Sequence, residues 1–446
     1  MEDIWVIKLD PAGEMEWKHC FGGSSSDLGK QILQEPDGGY LVLGSTSSNN
    51  GDVSGNHGMS DIWLFKLDPD GTLVWQRCYG GSLNESAWDI HSSSDGYVIV
   101  GESRSSDGDV SDNAGGEDYW IVKTDEDGDV QWQRSYGGSS ADVPSSIVRT
   151  VDDGYIVNGY TASNDGDVTE HRGSQDYWVI KLNDQGMLQW QRTCGATGDD
   201  WGHAITELSD GNYMAVGRSN SQDEDISNPL GSFDLWTVRI TSTGQIAEEI
   251  SFGGSSGDFG FNIHRLDGEM LICGSSLSAN GDLSENQGVS DGWLFKSDLQ
   301  GIIEWSLSMG GSQADSWSAL SFTNDGGCIL AGNSQSNDGD LLGNNGAADV
   351  WIVKLGSDPV GLDEISERCD IKLHPNPCAD QLCISSLYCE GAPVALQIFD
   401  AQGRIVAHSR MATSMIDINI SHLEPGPYNV VLQDASGRSS TSFMKE

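Results

Sequence analysis

The chain has 446 residues, enough for two or three domains of ordinary size, and its formal net charge is −45. Residues 1–361 hold 57 of the 68 acidic residues but only 17 of the 23 basic ones. This excess of negative charge excludes nucleic acid as a partner and disfavours anionic membranes, because both require clusters of Lys and Arg. No segment approaches the roughly 20 consecutive apolar residues of a transmembrane helix. The many short apolar runs bounded by Gly, Asp, Asn and Ser predict an all-β protein.

The strongest regularity in the chain is the motif Asp-x-Trp, which recurs at steps of 57 or 58 residues. Its tryptophans are Trp5, Trp63, Trp120, Trp178, Trp236, Trp293 and Trp351. A constant period of this length indicates a repeat architecture. Residues that recur in every repeat are expected to build the repeat, so specific chemistry should be sought at positions where the pattern breaks.

A single repeat contains four strand-like segments, as residues 142–195 illustrate. They are residues 143–150, 155–159, 176–182 and 187–194. Asp153-Gly154 suits the first hairpin, and Gly186 supplies the positive φ that the second hairpin needs. Four short antiparallel strands per unit, repeated radially, predict a β-propeller of four-stranded blades. We expect the recurring tryptophans to pack between neighbouring blades.

The number of blades follows from counting strands of each type. The chain supplies six complete repeats, with six first, six second, seven third and six fourth strands. One arrangement is a six-bladed ring whose last blade takes its fourth strand from residues 15–21. The other is a seven-bladed ring with an incomplete N-terminal blade. The second is preferred, because a start downstream of the natural one also explains why no secretory signal precedes Asp3.

The repeat resembles a known family in the order of its motifs. Gly-Gly-Ser-x-x-Asp, Asp-Gly-Tyr-x-x-x-Gly, Asp-x-Trp-x-x-Lys and Trp-x-x-x-Tyr-Gly-Gly are similar to the bacterial β-propeller repeats abbreviated SBBP. Residues 118–123, 136–139 and 154–155 are matching stretches, and the resemblance covers residues 3–355. It implies a propeller over residues 1–355 but no particular activity, because one fold hosts many functions.

The C-terminal region has a different pattern. Residues 356–367 form a linker containing Ser, Asp, Pro and Gly, and residues 368–446 contain alternating strand-like segments. These segments predict a small Ig-like β-sandwich of roughly seven strands. Four cysteines crowd this region, namely Cys369, Cys378, Cys383 and Cys389. One or two disulfides are expected there if the protein is exported, and the sequence leaves their pairing open.

This C-terminal region resembles the type A C-terminal sorting domain of the type IX secretion system of Bacteroidetes. The matching residues, in order, are Pro375, Asn376, Pro377, Asp400, Gly403, Arg404, Leu423, Gly426, Tyr428 and Lys445. Pro427 departs from the family, which usually carries an apolar residue there. The resemblance implies that the type IX machinery is a partner. It also implies removal of the tail and an extracellular protein or one attached to the outer-membrane surface.

Two acidic positions recur in the repeats and allow two interpretations each. The first set, at the start of the first strand, is Asp27, Glu85, Asp142, Asp200, Asp258 and Asp315. These carboxylates either form a ring at a channel mouth or cap their own turns. The second set, in the loop before the Trp strand, is Asp52, Asp109, Asp167, Asp225, Asp282 and Asp340. Their loops either bind calcium through oxygen ligands or form ordinary Asx-turns.

Residues that break the repeat pattern are the candidates for a ligand site. Those near the channel-lining strands are Trp88, Trp201, Trp317, Arg149, His264 and Arg265. The alternative is that they fill the core of the hub. No catalytic set is predicted. Residues 253–257 match Gly-x-Ser-x-Gly, but they form the turn between repeats and lack a strand-to-helix elbow.

Three functions are compatible with these patterns. The leading hypothesis is a secreted or cell-surface, non-enzymatic propeller that binds a glycan or a protein. The first alternative is an extracellular polysaccharide hydrolase or lyase with its site at the channel mouth. The second alternative is a structural or adhesive surface protein. The uniformity of the repeats favours a non-enzymatic role, and no cofactor is predicted apart from calcium.

Overall fold

The computed structural model describes most of the repeat region and the strands of the tail. The described residues are 2–223, 225–266, 268–283, 285–323, 326–341, 343–344, 346–356, 371–374, 381–386, 394–399, 405–411, 415–423, 425–433 and 438–445. Within them every regular element is a β-strand, as the composition predicts. No described segment is a helix with the length and hydropathy needed to cross a membrane. The chain divides into two compact units, Met1–Ser357 and Asp358–Glu446.

The first unit consists of seven antiparallel sheets that follow one another along the chain. Sheet 1 has two strands, β1 (Ile4–Leu9) and β2 (Met15–Phe21). Sheet 2 contains β3 (Asp27–Gln34), β4 (Tyr40–Thr46), β5 (Asp61–Leu67) and β6 (Leu73–Tyr79). Sheet 3 contains β7 (Glu85–Ser93), β8 (Gly96–Ser103), β9 (Asp118–Thr124) and β10 (Val130–Tyr136).

The next three sheets repeat the same four-stranded order. Sheet 4 contains β11 (Asp142–Arg149), β12 (Tyr155–Thr161), β13 (Asp176–Leu182) and β14 (Leu188–Cys194). Sheet 5 contains β15 (Asp200–Glu207), β16 (Tyr213–Ser219), β17 (Asp234–Ile240) and β18 (Ile246–Phe252). Sheet 6 contains β19 (Asp258–Arg265), β20 (Glu269–Ser276), β21 (Asp291–Asp298) and β22 (Ile303–Met309). The four-stranded repeat predicted for residues 142–195 is confirmed.

Sheet 7 ends the first unit with three described strands, β23 (Asp315–Phe322), β24 (Cys328–Ser334) and β25 (Asp349–Leu355). Strand β2 pairs with β1 and not with β25, so sheet 7 takes no strand from residues 15–21. The described residues of the first unit therefore form seven sheets, and five of these sheets have all four strands. The six-bladed alternative placed residues 15–21 beside the last third strand. In the structure these residues pair with β1, because the turn at Asp10–Gly13 joins β1 and β2 as a local hairpin.

The hairpin turns show why the repeats fold alike. In the second hairpin of sheet 4, Gly186 has a φ of 74°, which glycine adopts without strain. Its amide donates to the carbonyl of Asn183, and the Asn183 side chain accepts the amides of Gln185 and Met187. The same side-chain bonds recur at Asp10, Asp68, Asp125 and Asp298. Local turn chemistry thus fixes the register of each sheet.

Most of the recurring tryptophans pack between sheets, as predicted, whereas Trp5 is 56% exposed. Five of them are fully buried, namely Trp63, Trp120, Trp178, Trp236 and Trp293. Trp120 of sheet 3, for example, shares a core cluster with Ile62 and Leu64 of sheet 2. Because burying a large aromatic side chain contributes several kcal/mol, these rings hold each sheet to the preceding one.

The first strands of successive sheets contact one another, so they form the hub of the unit. The first and last sheets face each other across a cleft of about 440 Å³. Trp5 and Ile7 line one side of this cleft, and Val350 and Ile352 line the other. The row of sheets therefore curves back on itself, as in a propeller.

The second unit contains two antiparallel sheets. Sheet 8 contains β26 (Ile371–His374), β27 (Gln381–Ser386) and β30 (Met415–Asn419). Sheet 9 contains β28 (Val394–Phe399), β29 (Ile405–Met411), β31 (Gly426–Gln433) and β32 (Arg438–Lys445). Leu382 and Ile384 of sheet 8 share one hydrophobic cluster with Leu396 and Ile398 of sheet 9, so the sheets pack face to face.

Candidate functional site

The first recurrent set of carboxylates caps turns inside the fold. Each of these six side chains is buried, and Asp142 shows the pattern. Its carboxylate accepts the amide of Gly138 at 2.7 Å, the hydroxyl of Ser163 at 2.8 Å and the hydroxyl of Thr161. Its two oxygens therefore join the turn between sheets to the end of the second strand, and the capping interpretation accounts for them.

The second recurrent set also binds the turn between sheets. Asp167 accepts the amide of Gly137 at 3.2 Å, and its own amide donates to the carbonyl of Gly137 at 2.9 Å. The equivalent bonds from glycine amides recur at Asp52, Asp109, Asp225, Asp282 and Asp340. Across the described residues, no group of three or more His, Cys, Asp or Glu side chains is arranged to hold a metal ion. Calcium binding by this set stays a prediction.

A third carboxylate, the Asp of the Asp-x-Trp motif, completes the arrangement around each turn. Asp118 is fully buried, and its Oδ2 accepts the amide of Ala114 at 2.5 Å. Its Oδ1 has no hydrogen-bond partner. Burial, together with the charges of Asp142 and Asp167, raises the pKa of Asp118 to about 7. The sequence signal for this residue is its recurrence two positions before Trp, but recurrence alone does not reveal that carboxylates converge beside the turn at Gly137.

The residues that break the repeat come together at one place on sheets 3–6. We define the aromatic patch as Trp88, Glu102, Tyr160, Trp201, His203, Arg218, Phe233, Phe259 and Phe261, all of which are partly exposed. They lie near the beginnings of first strands, the ends of second strands and the entry to the third strand of sheet 5. The patch therefore occupies one end of the hub strands.

A three-layer stack forms the centre of the aromatic patch. Tyr160 of β12 stacks on Trp201 of β15 with 4.9 Å between ring centroids and 16° between ring planes. Arg218 of β16 is the cross-strand partner of Trp201, and its guanidinium lies 3.9 Å from the centroid of the Trp201 ring. The same guanidinium lies 5.2 Å from the ring centroid of Phe233 and 5.4 Å from that of Phe259. Arg218 is thus surrounded by three aromatic rings.

Charged groups extend the aromatic patch toward sheet 3. Trp88 donates its indole N–H to Glu102 at 3.2 Å, and the Lys30 ammonium lies 4.2 Å from the Trp88 ring centroid. Burial raises the pKa of Glu102, and the charge of Glu117 adds to this effect. Burial and the charges of Glu102 and Glu117 also raise the pKa of Tyr160 to about 12. The carboxylates therefore lie close to the Tyr160 end of the stack.

Histidine and arginine on the other side of the stack are poorly solvated. Burial, followed by the charge of Arg218, lowers the pKa of His203 to about 3, so this imidazole is neutral at neutral pH. Burial also lowers the pKa of Arg218. The Nε2 atom of His203 and the Nε atom of Arg218 are buried without hydrogen-bond partners. These two atoms therefore have hydrogen-bonding capacity that the described residues leave unused.

The structure separates the six ligand-site residues that the sequence suggested. Trp88 and Trp201 lie in the aromatic patch. Trp317 is buried and stacks on Trp351 with 3.9 Å between ring centroids. The other three lie at the far ends of their first strands. There, Arg149 pairs with Asp153, His264 bonds the carbonyl of Leu320, and Arg265 bonds the carbonyl of Glu207.

Seven residues of the aromatic patch were not among the sequence candidates, namely Glu102, Tyr160, His203, Arg218, Phe233, Phe259 and Phe261. A signal for some of them exists in the repeat alignment. The position of Arg218, directly after the second-strand glycine, holds Ser45, Glu102, Tyr160, Ser275 and Asn333 in the other repeats. This position holds the large polar side chains Glu102, Tyr160 and Arg218 in three consecutive repeats, which indicates a local role rather than a requirement of the fold.

The sorting-domain residues fall partly outside the described structure. Leu423 and Tyr428 lie in the hydrophobic cluster of the second unit, Lys445 is buried, and Gly426 begins β31. Pro375, Asn376, Pro377, Asp400, Gly403 and Arg404 lie outside the described residues. Cys369, Cys378 and Cys389 do too, so disulfide pairing in the tail stays a prediction.

Comparison with known proteins relates both units to others. The regulatory protein FlaEY of Caulobacter vibrioides is 25% identical over 348 residues, and the alignment covers 68% of this chain but only 36% of that protein. The structure of PorZ from the type IX secretion system of Porphyromonas gingivalis is similar with a TM-score of 0.31 and 10% identity. The similarity covers 97% of this chain and 62% of PorZ.

A Synechocystis apocarotenoid oxygenase is similar with a TM-score of 0.37 and 12% identity, over 87% of this chain and 93% of that one. The family whose description is secretion system C-terminal sorting domain matches residues 372–446. A segment of this family directs export by the type IX system to the cell surface or the extracellular space. Residues 372–446 are a type IX secretion sorting domain, as their motifs predicted.

Proposed function

We propose that the exported protein binds a glycan through the aromatic patch and catalyses no reaction. The observation that supports this proposal is the stack of Tyr160, Trp201 and Arg218, which is built at positions that other repeats fill with unrelated residues. Partly exposed aromatic rings combined with a few polar groups are typical of ligand sites.

A glycan is favoured over a protein ligand because the site is small. A stable protein interface needs about 20–30 residues and about 800 Å² on each partner. The aromatic patch has nine residues, and the unit that carries it has a large excess of acidic residues. A ligand the size of one or two sugar rings can contact the whole patch, whereas a folded partner would have to cover part of this acidic unit as well.

A glycan array probed with the wild-type protein tests the proposal, followed by titration of any bound glycan against two variants. Trp201→Ala removes the centre of the stack, and we expect the affinity to fall at least about tenfold. Trp5→Ala is the matched control, because Trp5 is 56% exposed and lies in the cleft between sheets 1 and 7. Unchanged binding by Trp201→Ala would reject the site, and an array without hits would favour the structural or adhesive alternative.

One observation favours the enzymatic alternative, a polysaccharide hydrolase or lyase. Burial raises the pKa of Glu102, and a second carboxylate, Glu117, lies near enough to reinforce the shift. A carboxyl group with a raised pKa beside an ionised one is the arrangement that glycosidases use for general acid catalysis. Release of reducing ends from polysaccharides by the wild-type protein, lost in Glu102→Gln, would support this function. No release from any glycan that the protein binds would exclude it.

Calcium binding by the six loop aspartates is a separate proposal. It is supported by carboxylate oxygens in short polar loops of an acidic protein, which suit a hard cation. Calcium should then raise the melting temperature of the protein after dialysis against a chelator, and magnesium should raise it less. If chelation changes neither the melting temperature nor glycan binding, the loops act only as Asx-turns.

A further inference from the structure

The Arg218 guanidinium has aromatic neighbours on its faces but no anionic partner at its edge. Among the described residues, no carboxylate forms an ion pair with it, and Asp199 acts on it only through its charge at longer range. Its Nε atom is buried without a hydrogen-bond partner. A guanidinium has five N–H donors, so this group retains unused donor capacity in a partly desolvated place.

The missing ion pair contrasts with two other arginines of the same unit, although a buried Nε atom without a partner also occurs in Arg134, Arg192 and Arg239. Arg172 pairs with Asp225 at 2.9 Å, and Arg239 pairs with Asp210 at 2.5 Å. Acidic residues are abundant, since residues 1–361 contain 57 of them. A partly buried cation left unpaired costs free energy, because desolvation is not compensated. The aromatic rings hold the guanidinium plane fixed, which pre-organises its edge for an anion from outside the chain.

We propose, on the basis of the glycan-binding function above, that the ligand is a sugar with a single carboxylate, as in a uronic acid, whose two oxygens bind the edge of the Arg218 guanidinium. A planar carboxylate matches the planar fork of arginine and forms two parallel N–H···O bonds. The sugar ring would then contact the exposed edges of Phe259 and Phe261, which stack on each other at 6.4 Å.

The charges around the aromatic patch limit the ligand to one negative group. Glu102 and Glu117 lie at the Tyr160 end of the stack, and the unit as a whole is strongly acidic. A polyanion would be repelled by this field, whereas a sugar with neutral neighbours would not. Hydroxyl groups of those neighbours can donate to the Glu102 carboxylate. The geometry thus favours an acidic sugar within an otherwise neutral glycan.

Ligand-observed NMR titrations of the full chain with matched sugar pairs test this inference. The pairs are methyl glucuronide with methyl glucoside and methyl galacturonide with methyl galactoside, and glucose 6-sulfate distinguishes a carboxylate from a sulfate. The wild-type protein should bind the carboxylate member of at least one pair about tenfold more tightly than its neutral partner, because a charge-assisted bidentate pair is stronger than a neutral hydrogen bond.

Two variants assign the preference to Arg218. Arg218→Gln should bind both members of a pair equally, and Arg218→Lys should keep only part of the preference, because an ammonium lacks the planar fork. Arg192→Gln is the control, since the Nε of Arg192 is also buried without a partner but lies outside the aromatic patch. Thermal melts verify that the variants fold.

Failure of this inference differs from failure of the glycan-binding proposal. Equal affinity for acidic and neutral sugars, a stronger preference for the sulfate, no binding of either pair, or a preference that survives in Arg218→Gln would each overturn the inference. The glycan-binding function would still stand if Trp201→Ala abolished binding of another glycan from the array.

Discussion

Asp118 and Asp142 belong to neighbouring sheets, yet their carboxylates meet beside the same α-carbon, that of Gly137. A methyl group on Gly137 would overlap Oδ1 of Asp118 and lie 2.7 Å from Oδ2 of Asp142. The oxygens of Asp142 have donors in Gly138, Thr161 and Ser163, whereas Oδ1 of Asp118 has none. A proton on Asp118 therefore removes a repulsion that its one hydrogen bond, from the Ala114 amide to Oδ2, offsets only in part.

The first prediction concerns pH. A carboxyl group whose pKa is raised on folding stabilises the folded state at low pH, and this contribution is lost as pH rises through the folded pKa. For Asp118 and Asp176, whose pKa values burial raises to about 7 and about 6, the loss falls between about pH 4 and pH 7. Asp118→Asn should therefore stabilise the protein at pH 8, on the order of 1 kcal/mol, and much less at pH 4.

Urea denaturation at the two pH values measures this difference. Asp127→Asn is the control, because Asp127 is an exposed aspartate on a turn. Its effect on the free energy of unfolding should vary little with pH. An equal gain from Asp118→Asn at pH 4 and pH 8 would show that Asp118 is ionised in the folded protein throughout this range.

The second prediction separates steric crowding from backbone strain at glycine. Gly137→Ala should destabilise the first unit by about 2 kcal/mol or more, because the added methyl group would displace two buried carboxylates. Gly13→Ala, at a φ of 86° with no atom within 4 Å of the added carbon, should cost only the strain of a left-handed residue, about 1 kcal/mol. Urea denaturation of both variants checks the order of these costs. Equal costs would mean that the carboxylates around Gly137 move apart easily.

The third prediction concerns the tryptophans of the Asp-x-Trp motif. Trp178 is fully buried between sheets, whereas Trp5 is 56% exposed at the open side of sheet 1. Trp178→Ala should lower the free energy of unfolding by about 3–5 kcal/mol, and Trp5→Ala should lower it by less than about 1 kcal/mol. Chemical denaturation followed by circular dichroism gives both values. Similar losses would imply that sheet 1 packs in solution as tightly as the complete sheets do.

The sequence predicted the repeat because each repeat encodes the same local interactions. Turn residues such as Asn183 and Gly186 act within a single sheet, so their pattern predicts the hairpins and strands directly. The pairing of β2 was ambiguous because two third strands, β1 and β25, match it equally well in pattern. The local turn at Asp10 decides in favour of β1.

The candidate site was harder to predict because its contacts cross between sheets. Trp201 stands out in the sequence as a break in the pattern, but its stacking on Tyr160 depends on how two neighbouring repeats are placed. Trp317 stands out equally and is buried against Trp351, since sheet 7 offers an aromatic partner at that point. A residue that departs from the repeat pattern therefore marks a position with a distinct local role. Whether that position lies in a binding site or in the hydrophobic core depends on its neighbours in space.

The fourth prediction concerns the sorting domain. Tyr428 lies in the hydrophobic cluster with Leu396 and Ile398, so Tyr428→Ala should destabilise the second unit by about 3 kcal/mol. Met415→Ala is the control, because Met415 is 57% exposed on the same unit. If the type IX machinery recognises the folded domain, the Tyr428→Ala variant should accumulate in the periplasm. The Met415→Ala variant should reach the cell surface. Antibody labelling of intact cells expressing each variant in a host with this system measures the difference. Equal surface labelling would mean that the machinery reads the motif residues without needing this hydrophobic core.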